Sequence, residues 1–283
     1  MRRDLLIFAL SVLLPGAAFA ADEPQPVDFR NFVYHPSCAD FESQEEPAVP
    51  VRVTEGRFEA EPGSDLEGLF FEVGEILQGD LTGDGRAETV VRTLCSTGGT
   101  GRFDEGFVFG TREGKPVLLG RIPGGDRASG AVRCVRIEQG ALKVERLGND
   151  SGAARGIDFI DTETWKVQGG GLAEVGKAAR RRLGPVESAK PIRFARGASS
   201  GTVKGTVNGA EDHVLQAREG QTMTVRLTSS PKGAAAFEIM IDDYTMACQG
   251  TEWTGELPAT GSYRITVLAT GGSAGYELNV AIR

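Results

Sequence analysis

The chain has 283 residues and a formal net charge of −8 at pH 7, with a sequence pI near 5.0. This balance argues against binding to a nucleic-acid backbone, which needs a basic face, and it favours basic proteins as partners. The 39 glycines and the low aromatic content of 7% are typical of a chain with many turns, and the length predicts two domains.

The N-terminus has the pattern of a secretory signal peptide. Two arginines precede an apolar run at residues 5–14, which is too short to span a bilayer. The triplet Ala18-Phe19-Ala20 is an A-x-A cleavage site, so we expect residues 1–20 to be removed and the mature chain to begin at Ala21. No later segment is long and apolar enough to cross a membrane. These features predict a periplasmic or secreted protein in an oxidising compartment.

Short apolar runs then alternate with Gly, Asp and Pro along the chain, which is the pattern of an all-β protein. We predict an N-terminal antiparallel β domain over residues 21–171, a linker over 172–190, and a C-terminal β-sandwich of the jelly-roll or immunoglobulin-like type over 191–283. Within the linker, the basic run at 177–183 could form a short helical turn. The predicted strands cover residues 31–34, 49–54, 57–60, 69–78, 88–95, 106–110, 117–122, 132–138, 142–147, 157–167, 201–207, 213–217, 222–228, 237–241, 247–250, 255–257, 262–269 and 276–282.

The loop at residues 80–88 has the spacing of a calcium-binding loop, with oxygen-bearing side chains at positions one, three and five and a glycine for the sharp turn. It resembles the Asp-rich hairpin loops of secreted repeat proteins of the FG-GAP type. Two departures are a threonine at position three and a valine at position twelve, where an EF-hand has glutamate. The alternative is a plain Gly-Asp-Gly hairpin turn. The candidate calcium ligands are Asp80, Thr82, Asp84, the carbonyl of Arg86, and Glu88.

The four cysteines form no C-x-x-C pair, so they indicate neither a zinc site nor a thioredoxin motif. We predict a disulfide between Cys38 and Cys95, which would tie a loose N-terminal arm to the first domain. Cys134 and Cys248 are either paired or act as small buried hydrophobic residues.

Residues 197–201 match the G-x-S-x-G pattern of serine hydrolases. That chemistry needs a strand, a sharp turn and a helix around the serine, together with an acid and a histidine further along the chain. No helical pattern follows Ser199, and His213 is the only histidine downstream. We therefore predict that the protein is not an enzyme.

Four stretches of the last third carry a family resemblance. They cover residues 191–207, 217–225, 255–265 and 276–282 and include the motifs Ser199-Ser200-Gly201 and Gly261-Ser262-Tyr263. Through them, residues 190–283 resemble the periplasmic inhibitors of goose-type lysozyme and, more loosely, the β-sandwich modules appended to secreted bacterial peptidases. Residues 95–119 of the first domain resemble uncharacterised secreted bacterial proteins, which implies export and a β fold.

The resemblance implies a non-catalytic module that binds a basic secreted protein such as a goose-type lysozyme. Inhibitors of this kind insert loops into the substrate cleft and offer side chains to its acidic groups. The inhibitors have a basic loop before the last strand, whereas residues 270–275 of this chain carry no charge. The alternative is a calcium-stabilised envelope module with another partner. The candidate partner-binding residues are Arg196, Lys232, Tyr244 and Trp253.

Overall fold

The computed structural model describes residues 27–39, 49–98, 102–125, 130–151, 157–242 and 244–283. The predicted signal peptide and its cleavage site lie outside the described residues. Within the described part, the regular elements are β-strands apart from two single 3-10 turns, so the all-β prediction is confirmed. The same residues contain no helix that could span a bilayer.

The first half folds mainly into two antiparallel sheets, each following the chain order as a meander. Outside them, β1 (Val33–Tyr34) pairs with β2 (Val51–Arg52). Sheet I contains β3 (Arg57–Glu59), β4 (Leu69–Gly79), β5 (Glu88–Thr97), β6 (Phe103–Arg112) and β7 (Lys115–Gly125). Sheet II contains β8 (Val132–Glu138), β9 (Ala141–Gly148), β10 (Phe159–Gln168), β11 (Gly171–Glu174) and β12 (Ala179–Arg182). Strands β11 and β12 both pair with β10: β12 pairs with its first half, residues 159–162, and β11 with its second half, residues 165–168.

Sheet I is buried on both faces, because successive residues of β5 enter different cores. Val91 packs with the N-terminal arm, residues 27–39 and 49–53, in a cluster that includes Tyr34 and Phe107. Val90 packs instead with sheet II, in a cluster that includes Leu142. A disulfide between Cys38 and Cys95, with 6.4 Å between Cα atoms, fastens the arm to β5 as predicted.

The segment predicted as a linker contains strands. Residues 179–182 form β12 rather than a helical turn, so that expectation is wrong. The reason is the two-residue repeat of a strand, which sends neighbouring arginines to opposite faces. Arg180 pairs with Asp161 at 2.7 Å on one face, whereas Arg181 pairs with Glu238 of the C-terminal half on the other. Because β12 closes part of sheet II, the segment is built into the fold.

The C-terminal half is a two-sheet β-sandwich, as predicted. Sheet III has the order β13-β15-β20-β17-β18, and sheet IV has the order β14-β21-β16-β19. Their inner faces enclose one core, in which Phe237 and Tyr263 of sheet III meet Met223 and Leu278 of sheet IV. The strands are β13 (Lys190–Pro191), β14 (Ser200–Val207), β15 (Ala210–Ala217), β16 (Thr222–Ser230), β17 (Ala235–Ile241), β18 (Tyr244–Gly250), β19 (Glu252–Glu256), β20 (Gly261–Ala269) and β21 (Ala274–Ile282).

Candidate functional site

The acidic side chains of the 80–88 loop bond to backbone amides of their own loop. Asp80 accepts hydrogen bonds from the N–H groups of Gly83 (2.6 Å) and Gly85 (2.9 Å), and these amides hold the pKa of its carboxyl below its usual range. Glu88 is buried and accepts from the N–H groups of Leu81 (2.7 Å) and Thr82 (3.0 Å). Carboxylates that bond to backbone amides of the same loop are typical of a hairpin turn that its own side chains stabilise.

The remaining candidate ligands follow the same arrangement. Asp84 accepts from the N–H of Arg86 at 2.8 Å, and both residues are exposed. Among the residues that the structure describes, no group of three or more His, Cys, Asp or Glu side chains is placed to hold a metal ion. A calcium ion at this loop would have to replace amide hydrogen bonds, and the calcium site stays a prediction.

The G-x-S-x-G match is not a nucleophile elbow. Ser199 lies directly before β14, and its carbonyl accepts a hydrogen bond from the N–H of Ile282 at 2.8 Å. His213 is fully buried, and its Nε2 lies 2.8 Å from the hydroxyl of Tyr276. Because that hydroxyl donates its proton to Glu211, Nε2 of His213 carries a proton and donates to Tyr276.

This histidine cluster fastens the start of the C-terminal half. Lys190 of β13 lies 3.0 Å from the Glu211 carboxylate, beside the parallel pairing of Lys190 with His213. Burial lowers the pKa of His213 from its ordinary value, because the charged ring would lose its hydration. The cluster therefore secures a strand in a pH-sensitive way, and the hydroxyl beside the ring is that of Tyr276 rather than that of Ser199.

A second disulfide joins the two halves of the chain. Cys134 on β8 is bonded to Cys248 on β18, with 5.9 Å between Cα atoms and 114 positions between them in sequence. The alternative that these two cysteines are merely small buried hydrophobic residues is therefore wrong. The bond lies where one face of sheet II meets the outer face of sheet III, on which Leu147, Ile160 and Met240 also pack together.

Charged groups are buried beside this disulfide. The Arg133 side chain of sheet II lies 2.7 Å from the Glu238 carboxylate of sheet III, and their exposed fractions are 0% and 1%. Arg133 also pairs with Glu145, and Arg181 also pairs with Glu238. Burial alone would raise the pKa of Glu145, but the charges of Arg133 and Arg136 outweigh burial and hold it below its usual range. We call Arg133, Glu145, Arg181 and Glu238 the junction cluster.

The sequence analysis missed the junction cluster, although a signal was present. Glu238 is the one charged residue of β17, whose seven residues are all buried. Arg133 follows the apolar Val132 in a strand whose first four residues are all buried. A charged residue with apolar neighbours on both sides in a strand indicates a partner from another element, because an unpaired buried charge is too costly to keep.

The four candidate partner-binding residues do not share one surface. Lys232 lies in the turn before β17 and Tyr244 begins β18 beyond the other end of β17, so the two are roughly 20 Å apart at the rise of a strand. The Trp253 ring packs against the sandwich core, and Arg196 is exposed between β13 and β14. We call the turns at 208–209, 231–234 and 270–273 the distal turns. Those at 218–221, at Asp242 and at 257–260 are the proximal turns.

Comparison with known proteins gives partial matches. No protein-family model and no curated protein sequence matches the chain. Among solved structures, PliG of Aeromonas hydrophila, a periplasmic lysozyme inhibitor of g-type lysozyme, is 29% identical, with 34% of this chain and 96% of that chain covered and a TM-score of 0.31. PliG of Salmonella Typhimurium is 25% identical, with 34% and 100% covered and a TM-score of 0.26.

A different protein matches over more of the chain. An exo-β-1,3-galactanase of Phanerochaete chrysosporium is 7% identical, with 76% of this chain and 78% of that chain covered and a TM-score of 0.20. All three TM-scores are below 0.5, so these similarities do not by themselves assign a function.

Proposed function

We propose that this chain is an exported, non-catalytic protein whose C-terminal sandwich binds a basic secreted protein of the goose-type lysozyme class. The resemblance of residues 190–283 to lysozyme inhibitors supports the class of partner. The two disulfides fit a protein that folds in an oxidising compartment.

The observation that carries the proposal is the exposure of the distal turns. Residues 208–210, 231–233 and 270–273 are all exposed. Hydrogen bonds join the turns to one another, from the N–H of Ala269 to the carbonyl of Gly209 (2.8 Å) and from the N–H of Thr270 to that of Ala234 (3.0 Å). A group of turns held in one shape loses little freedom on entering a partner's cleft, which favours binding.

Two other features direct a partner towards the turns. The outer face of sheet III is closed by sheet II, because Met240 and Glu238 are buried in the junction. The net charge of −8 would draw a basic protein towards this acidic one and speed their encounter at low salt. Lys232, at the tip of a distal turn, is the basic group available for an acidic cleft.

The proposal is tested on the full mature chain. An isolated module of residues 190–283 would leave Cys248 without its disulfide partner and would uncover Met240, so it would present a different surface. We expect the mature chain to bind goose-type lysozyme and Lys232→Glu to weaken binding about tenfold, the loss of one contact worth about 1.4 kcal/mol. The readouts are calorimetric titration and lysis of bacterial cell walls.

The matched control is Lys204→Glu. Lys204 is equally a surface lysine, it pairs with Glu277 at 2.8 Å on the outer face of sheet IV, and its replacement changes the net charge by the same amount. If both variants weakened lysozyme binding equally, the effect would come from long-range attraction between the two proteins and not from a contact at the distal turns. Absence of lysozyme binding would overturn the choice of partner.

A further inference from the structure

A cleft of about 400 Å³ lies where the proximal turns meet the first half of the chain. Ile241, Asp242 and Tyr244 line it from the β17–β18 turn, and Pro258 and Ala259 line it from the β19–β20 turn. Arg102, directly before β6 of sheet I, lines the other side. Concave sites at domain junctions with an apolar wall and a few polar groups are where proteins most often take ligands.

The polar groups of the cleft, Arg102, Asp242 and Tyr244, are exposed. Tyr244 is 55% exposed, which makes it the most exposed large hydrophobic side chain of the described residues. Within the described part of the chain, no hydrogen bond or ion pair joins these three side chains to another residue, although the charge of Arg102 acts on the carboxyl of Asp104. The cleft therefore presents a guanidinium, a carboxylate and an aromatic ring to a binding partner.

We propose that this cleft docks a loop of a partner protein that carries an arginine or lysine two positions from an acidic residue. The basic side chain would lie against the Tyr244 ring, a cation–π contact, and pair with Asp242 two positions away. The partner's carboxylate would pair with the Arg102 guanidinium, which can donate two parallel hydrogen bonds to it. Tyrosine and arginine are the residue types that most often anchor protein interfaces.

The inference rests on the proposed binding function and adds a second contact region, at the end of the sandwich opposite the distal turns. Arg102 belongs to the first half, whereas Tyr244 and Asp242 belong to the sandwich, so the docking surface exists only when the two halves are joined. The disulfide between Cys134 and Cys248 holds them in that arrangement. The first half thus contributes a contact residue to the site.

Tyrosine labelled with fluorine gives a direct test. The chain has 4 tyrosines, and Tyr34, Tyr263 and Tyr276 are buried, which leaves Tyr244 as the exposed reporter. The probes are the capped tripeptides Arg-Ala-Glu and Glu-Ala-Arg, with Ala-Ala-Ala as the uncharged control. We expect the charged probes to shift the Tyr244 resonance in the fluorine NMR spectrum and the control to leave it in place.

Variants separate the cleft from other surfaces. Asp242→Asn and Arg102→Gln should each weaken the response of Tyr244 to the charged tripeptides about tenfold, whereas Lys232→Gln at the distal turns should leave it unchanged. No shift at about 10 mM of either charged probe, or a shift that both cleft variants leave unchanged, would overturn the proposal.

A lysozyme titration distinguishes this inference from the proposed function. Lysozyme binding that Tyr244→Ala leaves unchanged would overturn docking in the cleft and leave the lysozyme proposal standing. Tripeptide binding without lysozyme binding would support the cleft and overturn the choice of partner.

Discussion

Removing the charge of Glu238 should destabilise both halves of the protein. In Glu238→Gln, Arg133 would keep Glu145 as its ion-pair partner, and Arg181 would lose its partner in the junction. Two further groups of Arg133, Nε and Nη2, have no hydrogen-bond partner among the described residues, so this buried arginine depends on the carboxylates. Breaking a buried ion pair by removing one member costs about 3–5 kcal/mol.

An exposed ion pair provides the comparison. Arg226 and Glu252 lie 3.1 Å apart with exposed fractions of 65% and 73%, and pairs of this kind contribute about 0–1 kcal/mol. Glu252→Gln makes the same chemical change as Glu238→Gln outside the junction. We therefore expect Glu238→Gln to lower the free energy of unfolding several times more than Glu252→Gln does.

The two tryptophans allow each half to be followed separately. Trp165 packs between sheets I and II, and Trp253 packs against the sandwich core. Urea unfolding monitored in Trp165→Phe and Trp253→Phe backgrounds should show Glu238→Gln lowering the midpoint of both signals, because the junction couples the halves. A loss below about 1 kcal/mol, equal to that of Glu252→Gln, would refute the structural importance of the junction cluster.

Three further outcomes are expected. Replacing Cys134 and Cys248 together by serine should cost about 5 kcal/mol of unfolding free energy in urea unfolding, since the bond closes a 114-position loop; no loss would contradict a role in stability. Stability should fall as the pH drops below about 6.5, because unfolded His213 takes up a proton that the folded ring resists; a His213→Gln variant with the same pH profile would contradict this. Calcium binding at the 80–88 loop would raise the melting temperature of the wild type and not of Asp84→Ala, whereas melting indifferent to calcium and chelator would leave only the hairpin turn.

Local features of the fold could be predicted because local residues determine them. The alternation of apolar and polar residues locates most strands, and the two hairpin turns between β6 and β7 and between β8 and β9 follow from Glu-Gly and Gln-Gly pairs. In each turn both residues have positive φ, 52° and 74° at Glu113 and Gly114 and 51° and 72° at Gln139 and Gly140. That is the backbone which two-residue hairpins require.

The junction could not be predicted because it depends on contacts across the sequence. Cys134 and Cys248 are 114 positions apart, and no spacing rule joins them. Residues 179–182 are mostly arginine, which has a good intrinsic helix propensity, but pairing with β10 makes them a strand. The cleft lined by Arg102 and Tyr244 depends on the orientation of the two halves, about which strand periodicity carries no information.

The most direct test of the proposed function is calorimetric titration of the mature chain with goose-type lysozyme at low and high salt. The account predicts binding of about micromolar affinity or tighter that weakens as salt screens the attraction between an acidic protein of net charge −8 and a basic one. No heat of binding at either salt concentration would contradict it and would reduce the resemblance to a shared fold.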